Sequence, residues 1–157
     1  MAARVTEVCQ LLIDRLVSLL PAGDLTTFER AYVPTILDAD FAANIAALAG
    51  RKVYVMPSTY GQAEIASRGQ DNNRYGPSVL IVERYTDAGG VADAWLDDRI
   101  AWVESQVYGP LQNLRADPLD GTLWPHSADV AVVYDPDFLR EHKLFWSEVH
   151  FEFREIS

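Results

Sequence analysis

A single cysteine in 157 residues, Cys9, excludes an internal disulfide, so nothing covalent staples this chain. Cys9 lies on an amphipathic pattern, where a small buried hydrophobe is the simplest role. No neighbouring histidine or oxyanion donor points to a catalytic thiol. Positive charge is scarce as well: 13 Lys and Arg against 23 Asp and Glu leave a formal net charge of −10, with no basic run. A field of that sign repels nucleic acid and argues against a sequence-reading DNA or RNA binder. Long hydrophobic runs are missing too. The longest, VCQLLIDRLVSLLPAG, is broken by Asp14 and Arg15 and is too short and too charged to span a bilayer. The start lacks the basic residues and cleavage site of a signal peptide. The expectation is a soluble protein that stays in the cell that makes it.

Catalytic spacings are also absent. The three histidines, His126, His142 and His150, form no HxH or HExxH pattern, and no CxxC exists, so a zinc site is not expected. No GxSxG elbow presents a nucleophile. Two carboxylate pairs occur. Asp97 and Asp98 fall on the solvent side of a helical pattern, and Asp135-Pro-Asp137 has the chemistry of a turn in which one Asp caps its own backbone. DAGGVAD places two glycines before a helix, where anions can bind, but it matches neither G-x-G-x-x-G nor a P-loop, and Asp87 and Asp93 flank it. No cofactor, no metal and no catalytic residue is expected.

What the chain does contain is the composition of one globular domain over residues 1–157: 49% of it is hydrophobic, enough for a real core at this length. Apolar residues at Val5, Val8, Leu12, Leu16, Leu19 and Leu20 predict a helix over 3–20. TTFERAYVP alternates and predicts a strand closed by Pro34. A short helix follows, capped by Asp38 or Asp40 and ended by Gly50. RKVYVMP and SVLIVERY read as strands. A second long helix over 91–108 has Trp95, Leu96, Ile100, Val103 and Val107 as its inner stripe, with Gly109 and Pro110 stopping or kinking it. RADPLDGTLWPHSAD reads as a polar linker to a strand at VAVVYDPD. The last strand alternates strictly, with Val149, Phe151 and Phe153 inward and His150, Glu152 and Arg154 outward. The fold class expected is α+β: a small, mostly antiparallel or mixed sheet with two main helices packed on one face, in two layers.

The stretch SRGQDNNRYG, Ser67 to Gly76, joins two strands, whereas a phosphate cradle normally passes from strand to helix. Alternation runs upstream through AEIASR, so Thr59 to Pro77 reads as a long β-hairpin arm tipped by GQDNN. A mobile surface loop and a subunit-contact arm are the two roles open to it. Arg68 and Arg74 are suited to pairing with the acids of a neighbour.

Element order, together with the phrases VYVMPS and EIASRGQDNNRYGPSVLIVERY and the closing FWSEVHFEFREI, resembles the tail terminator (tail-tube capping) proteins of long-tailed bacteriophages and their neighbours at the head–tail joint. The resemblance covers nearly the whole chain and rests on no catalytic signature. It implies a structural virion protein, not an enzyme, assembled in the host cytoplasm. In that role a hexameric ring caps the tail tube, ends its polymerisation and meets the head connector or head-closure protein. Genomic DNA would pass through the acidic lumen without specific binding, and no membrane is involved. The subunit-interface arm would then present Tyr60, Glu64, Arg68, Gln70, Asp71, Asn72, Asn73, Arg74 and Tyr75 to a neighbouring subunit or tube ring. Deleting Gly61–Arg74 is expected to leave the core folded and abolish assembly. Two alternatives stay open: a head-closure or tail-completion adaptor at the neck, and a small enzyme or ligand-binding domain with Tyr60, Arg68, Arg74 and Tyr75 lining a pocket.

Overall fold

A computed structural model describes residues 4–67, 70–87 and 89–156, with the side chains of 58–72 and 156 left aside. The chain forms α1 (Arg4–Ser18), β1 (Thr27–Arg30), a 3-10 turn (Thr35–Leu37), α2 (Phe41–Ala46), β2 (Arg51–Ser67) and β3 (Gln70–Arg84). Then come α3 (Asp93–Val103), a π-helical turn (Glu104–Tyr108), α4 (Leu111–Ala116), β4 (Leu123–Val132), α5 (Pro136–His142) and β5 (Leu144–Ile156). The strands make one five-stranded sheet in the order β1-β2-β3-β5-β4. β1 runs parallel to β2 and every other pairing is antiparallel, so the fold is α+β with a mixed sheet.

Alternation along the strands divides the core in two. Val53 and Val55 of β2, Val79 and Ile81 of β3, and Phe145, Val149, Phe151 and Phe153 of β5 point to one face. There they meet Val8, Cys9, Leu12 and Leu16 of α1 together with Val103, Val107 and Leu114 from the α3–α4 run, as the 3.6-residue spacing requires. Both main helices lie on this face. Each large side chain fully withdrawn from water here stabilises the fold by about 1.5–3 kcal/mol.

The opposite face departs from the two-layer expectation. Tyr54, Leu80, Val82, Leu144 and Trp146 turn that way and are covered by Ile36 of the 3-10 turn, Ile45 of α2 and Phe138 of α5. One end of the sheet is therefore a three-layer sandwich. Asp40 is the cap of α2, its carboxylate accepting from the Ala43 amide at 3.1 Å.

Other expectations shift in detail. β1 keeps only four residues of TTFERAYVP. The linker reading of 115–129 fails for all but 117–122, because the end of α4 and the first seven residues of β4 occupy the rest. Pro125 hid the strand; it is tolerated because β4 is an edge, and a bulge between Pro125 and Ser127 absorbs the missing donor. Asp135 does cap its own backbone, accepting from the amides of Asp137 and Phe138 at 2.9 and 3.1 Å, but what it caps is a helix, α5. The long helix is interrupted at Glu104–Tyr108 by a π turn, closed by the Gly109 amide donating to the Glu104 carbonyl at 2.6 Å.

Candidate functional site

β2 and β3 form the long hairpin that alternation indicated, pairing from Arg51↔Glu83 outward to Ser67↔Gln70. Its neighbours stop sooner. β1 ends opposite Val55, and β5 ends with Ile156 opposite Asn72. The backbone of 64–67 and 70–71 therefore continues past the sheet as an arm. Pro57 faces Pro77 across the hairpin, and a bulge follows between Pro57 and Thr59. Neither proline offers an N–H to that rung, so the ladder is interrupted where the arm leaves the second core.

Of the residues expected to make the contact surface, Tyr60, Glu64, Gln70, Asp71 and Asn72 lie on these strands, with side chains outside those described; Arg68 lies outside the described residues altogether. Asn73 is half-buried opposite Gln62. Tyr75 is not a surface residue. It is 2% exposed in the main core, and its hydroxyl donates to Glu155 Oε1 at 3.4 Å. Arg74, next to it on the strand, points the other way and is half exposed. Consecutive strand residues cannot line one pocket from one face, which removes the pocket composed around Arg74 and Tyr75.

Arg74 Nε contacts Glu152 Oε1 of its own chain at 3.3 Å, so the carboxylate expected from a neighbour is supplied internally. Glu152 also lies 3.6 Å from His126 Nε2 and 3.8 Å from Arg154, whose guanidinium contacts the same histidine nitrogen at 3.2 Å. Exposed Trp124 sits opposite Arg154 in register. This half of the sheet face is thus a charged surface of alternating sign, where the other half is apolar and covered.

Two further ionic clusters brace the sheet. Arg51 Nε contacts Glu83 Oε1 at 3.2 Å, Arg99 of α3 donates to the other oxygen of Glu83, and the Arg51 guanidinium stacks 4.0 Å from the Trp102 ring. The Trp102 indole donates to Asp24 Oδ2 at 2.8 Å. Burial dominates at Arg51 and lowers its pKa, against the pull of Glu83 and Asp24. At Asp24 burial works to raise the carboxyl, but hydrogen bonds from Thr26 and Trp102 and the charge of Arg51 outweigh it and hold it below the usual range. At the other end Arg4 of α1 bonds Glu155 and Glu7, and its pKa is raised chiefly by Glu155. Sequence inspection passed over Glu83, yet its inward register within SVLIVER was the available signal.

The remaining candidates fall where ordinary structure puts them. His142 packs edge-on to Phe41 at 5.3 Å, and His150 is exposed opposite Asp129. Asp97 and Asp98 lie exposed on α3. Cys9 is fully buried, which pushes its thiol up to about 11. Among the described residues no three His, Cys, Asp or Glu side chains gather as a metal site, and no helix is long and apolar enough to cross a membrane. No protein-family model and no curated protein matches this sequence. The class it belongs to is that of α+β proteins with a mixed sheet, helices on both faces and a projecting hairpin.

Proposed function

We propose that the chain is a structural subunit of a long-tailed bacteriophage, a tail terminator that caps the tail tube as a ring, ends its growth and joins the tail to the head connector. The observation that carries this is the arm: a hairpin that continues past both flanking strands, with residues 64–67 and 70–71 beyond the last rung to β5. An antiparallel ribbon of that kind offers unpaired backbone groups along its β2 edge to an adjoining chain.

A second surface supports the same role. Leu25, Tyr32 and Val33, at 89%, 74% and 62% exposed, flank the short edge strand β1, where a neighbour's contact would remove apolar area from water. The arm and this edge are different surfaces of one subunit, and a head-to-tail contact repeated through a closing rotation makes a ring. The outward acids Asp93, Asp97 and Asp98 of α3 and Glu104 of the π turn suit a ring through which DNA moves without sticking. The deciding experiment is negative-stain electron microscopy of the purified protein, alone and with tail tubes. Rings, or caps at tube ends, are expected. A particle that ignores tubes but binds connector would reassign the chain as a neck adaptor, and one indifferent to both would end the virion proposal.

A further inference from the structure

The second face, at the three-layer end of the sheet, holds an open cavity of about 380 Å³ between α2, the end of β3 and the C-terminus of α5. Ile45 and the alanines of α2 make an apolar wall, while Arg84, His142 and Lys143 contribute the opposite side. In a chain of net charge −10 this is an unusual concentration of bases, offset among the described lining residues only by exposed Asp87 and, beside His142, by Glu141 at 4.0 Å.

Arg84 is the informative residue. It continues the Leu80–Val82 stripe of β3 and so turns toward α2 and α5. Its Nε is buried with no hydrogen-bond partner, and no carboxylate among the described residues pairs with it. Arg4, Arg51, Arg74 and Arg99 are each matched to an acid of the fold. Arg154 Nε is likewise buried without a partner, but its guanidinium reaches Glu152 and His126, whereas the half-buried Arg84 has a buried Nε and no acid, a liability that a bound anion would relieve.

Lys143 is the second observation. It adopts a left-handed backbone with φ 52° at the end of α5, the position that glycine fills without strain. The αL turn sets its ammonium 3.3 Å from the Asp87 carbonyl, on the cavity rim. The fold alone would be served better by glycine, and strain of this sort gathers at binding sites. The C-terminal end of α5 presents partial negative charge to the same space, but two full positive charges exceed it.

We infer that this cavity is a binding site for a small molecule bearing an oxyanion, a phosphate or a carboxylate, gripped by Arg84 and Lys143 with its body against α2. The planar fork of Arg84 suits two oxygens of such a group. The site lies away from the arm and stands or falls independently of the tail-terminator proposal.

The test uses the full chain and inorganic phosphate, with acetate as the carboxylate probe and sodium chloride at matched ionic strength as the control. Thermal melting should rise saturably with phosphate or acetate and not with chloride. The probe that shifts it names the oxyanion. Arg84→Met and Lys143→Gly should each weaken the response roughly tenfold or more. Without probe, both variants should melt no lower than the parent, since one loses an unmatched buried donor and the other a strained lysine. No shift beyond chloride, an unchanged response in the variants, or variants that melt well below the parent would each overturn the assignment.

Discussion

Glu83 shows how much a single carboxylate decides here. Its side chain is only 9% exposed and holds two arginines from two elements, Arg51 at the start of β2 and Arg99 on α3. Removing it leaves Arg99 without an acid and Arg51, largely withdrawn from water, with only the more distant Asp24 at 3.7 Å. Glu83→Ala should therefore destabilise the protein by about 3 kcal/mol, seen as a lower urea midpoint at unchanged slope. Asp24 belongs to the same brace and responds to acid. Its folded pKa is depressed, so its contribution is present above the unfolded carboxyl pKa, about 3.9, and is lost as pH falls through the folded value. Asp24→Asn should flatten that part of the stability profile below about pH 4, with Trp102 fluorescence as the probe. These roles were hidden in the sequence, because Asp24, Arg51, Glu83, Arg99 and Trp102 come together only across β2, β3, α3 and the turn before β1. The same holds for Arg84 and Lys143, whereas Tyr75 misled by standing among polar neighbours while its register turned it inward.

At the level of elements, periodicity carried most of the information. α1, the strict alternation of β5 and the inner stripe of α3 lie where apolar spacing put them, since each buries one face against a single partner layer. Elements that break their own pattern were the ones misread. β4 carries Pro125 and a bulge, and α5 is a seven-residue helix whose start, Asp135-Pro136, looks the same as a turn. β1 is short because Tyr32 and Val33 turn out to solvent after four paired residues. The π turn offers a sharp test of local geometry. A β-carbon on Gly109 would meet the carbonyl oxygens of Glu104 and Ser105 at 2.9 Å, and backbone cannot move aside as a flexible side chain can. Gly109→Ala should cost roughly 2 kcal/mol, measured as a loss of thermal stability with the fold retained.

For the whole molecule, the arm separates folding from assembly. Deleting all of Gly61–Arg74 would remove more than the arm, because Asn72, Asn73 and Arg74 pair with β5 and Arg74 braces Glu152. The better cut replaces residues 64–71 with a two-residue Asn-Gly turn, the sequence that closes tight hairpins. Such a variant should melt within a few degrees of the parent, about the change that 1 kcal/mol produces in a domain of this size. It should no longer form rings or cap tubes, as judged by light scattering and electron microscopy. A truncated chain that still assembles would locate the subunit contact elsewhere, with the exposed Leu25–Val33 edge the next surface to alter.

The wide turn at Glu104–Tyr108 also records an arithmetic of chain length. With its amide bond reaching back five residues, this turn holds one residue more than an α-helix would between the same two ends. Taking out exposed Ser105 would convert that span to ordinary helix, leaving Val103 on one side and Val107, Leu111 and Leu114 on the other still directed at the core. Taking out exposed Asp97, about two turns ahead of that slack, would swing everything before or after it by about 100° around the axis. Two single-residue deletions in one helix should thus differ sharply, the first tolerated and the second unfolding the protein.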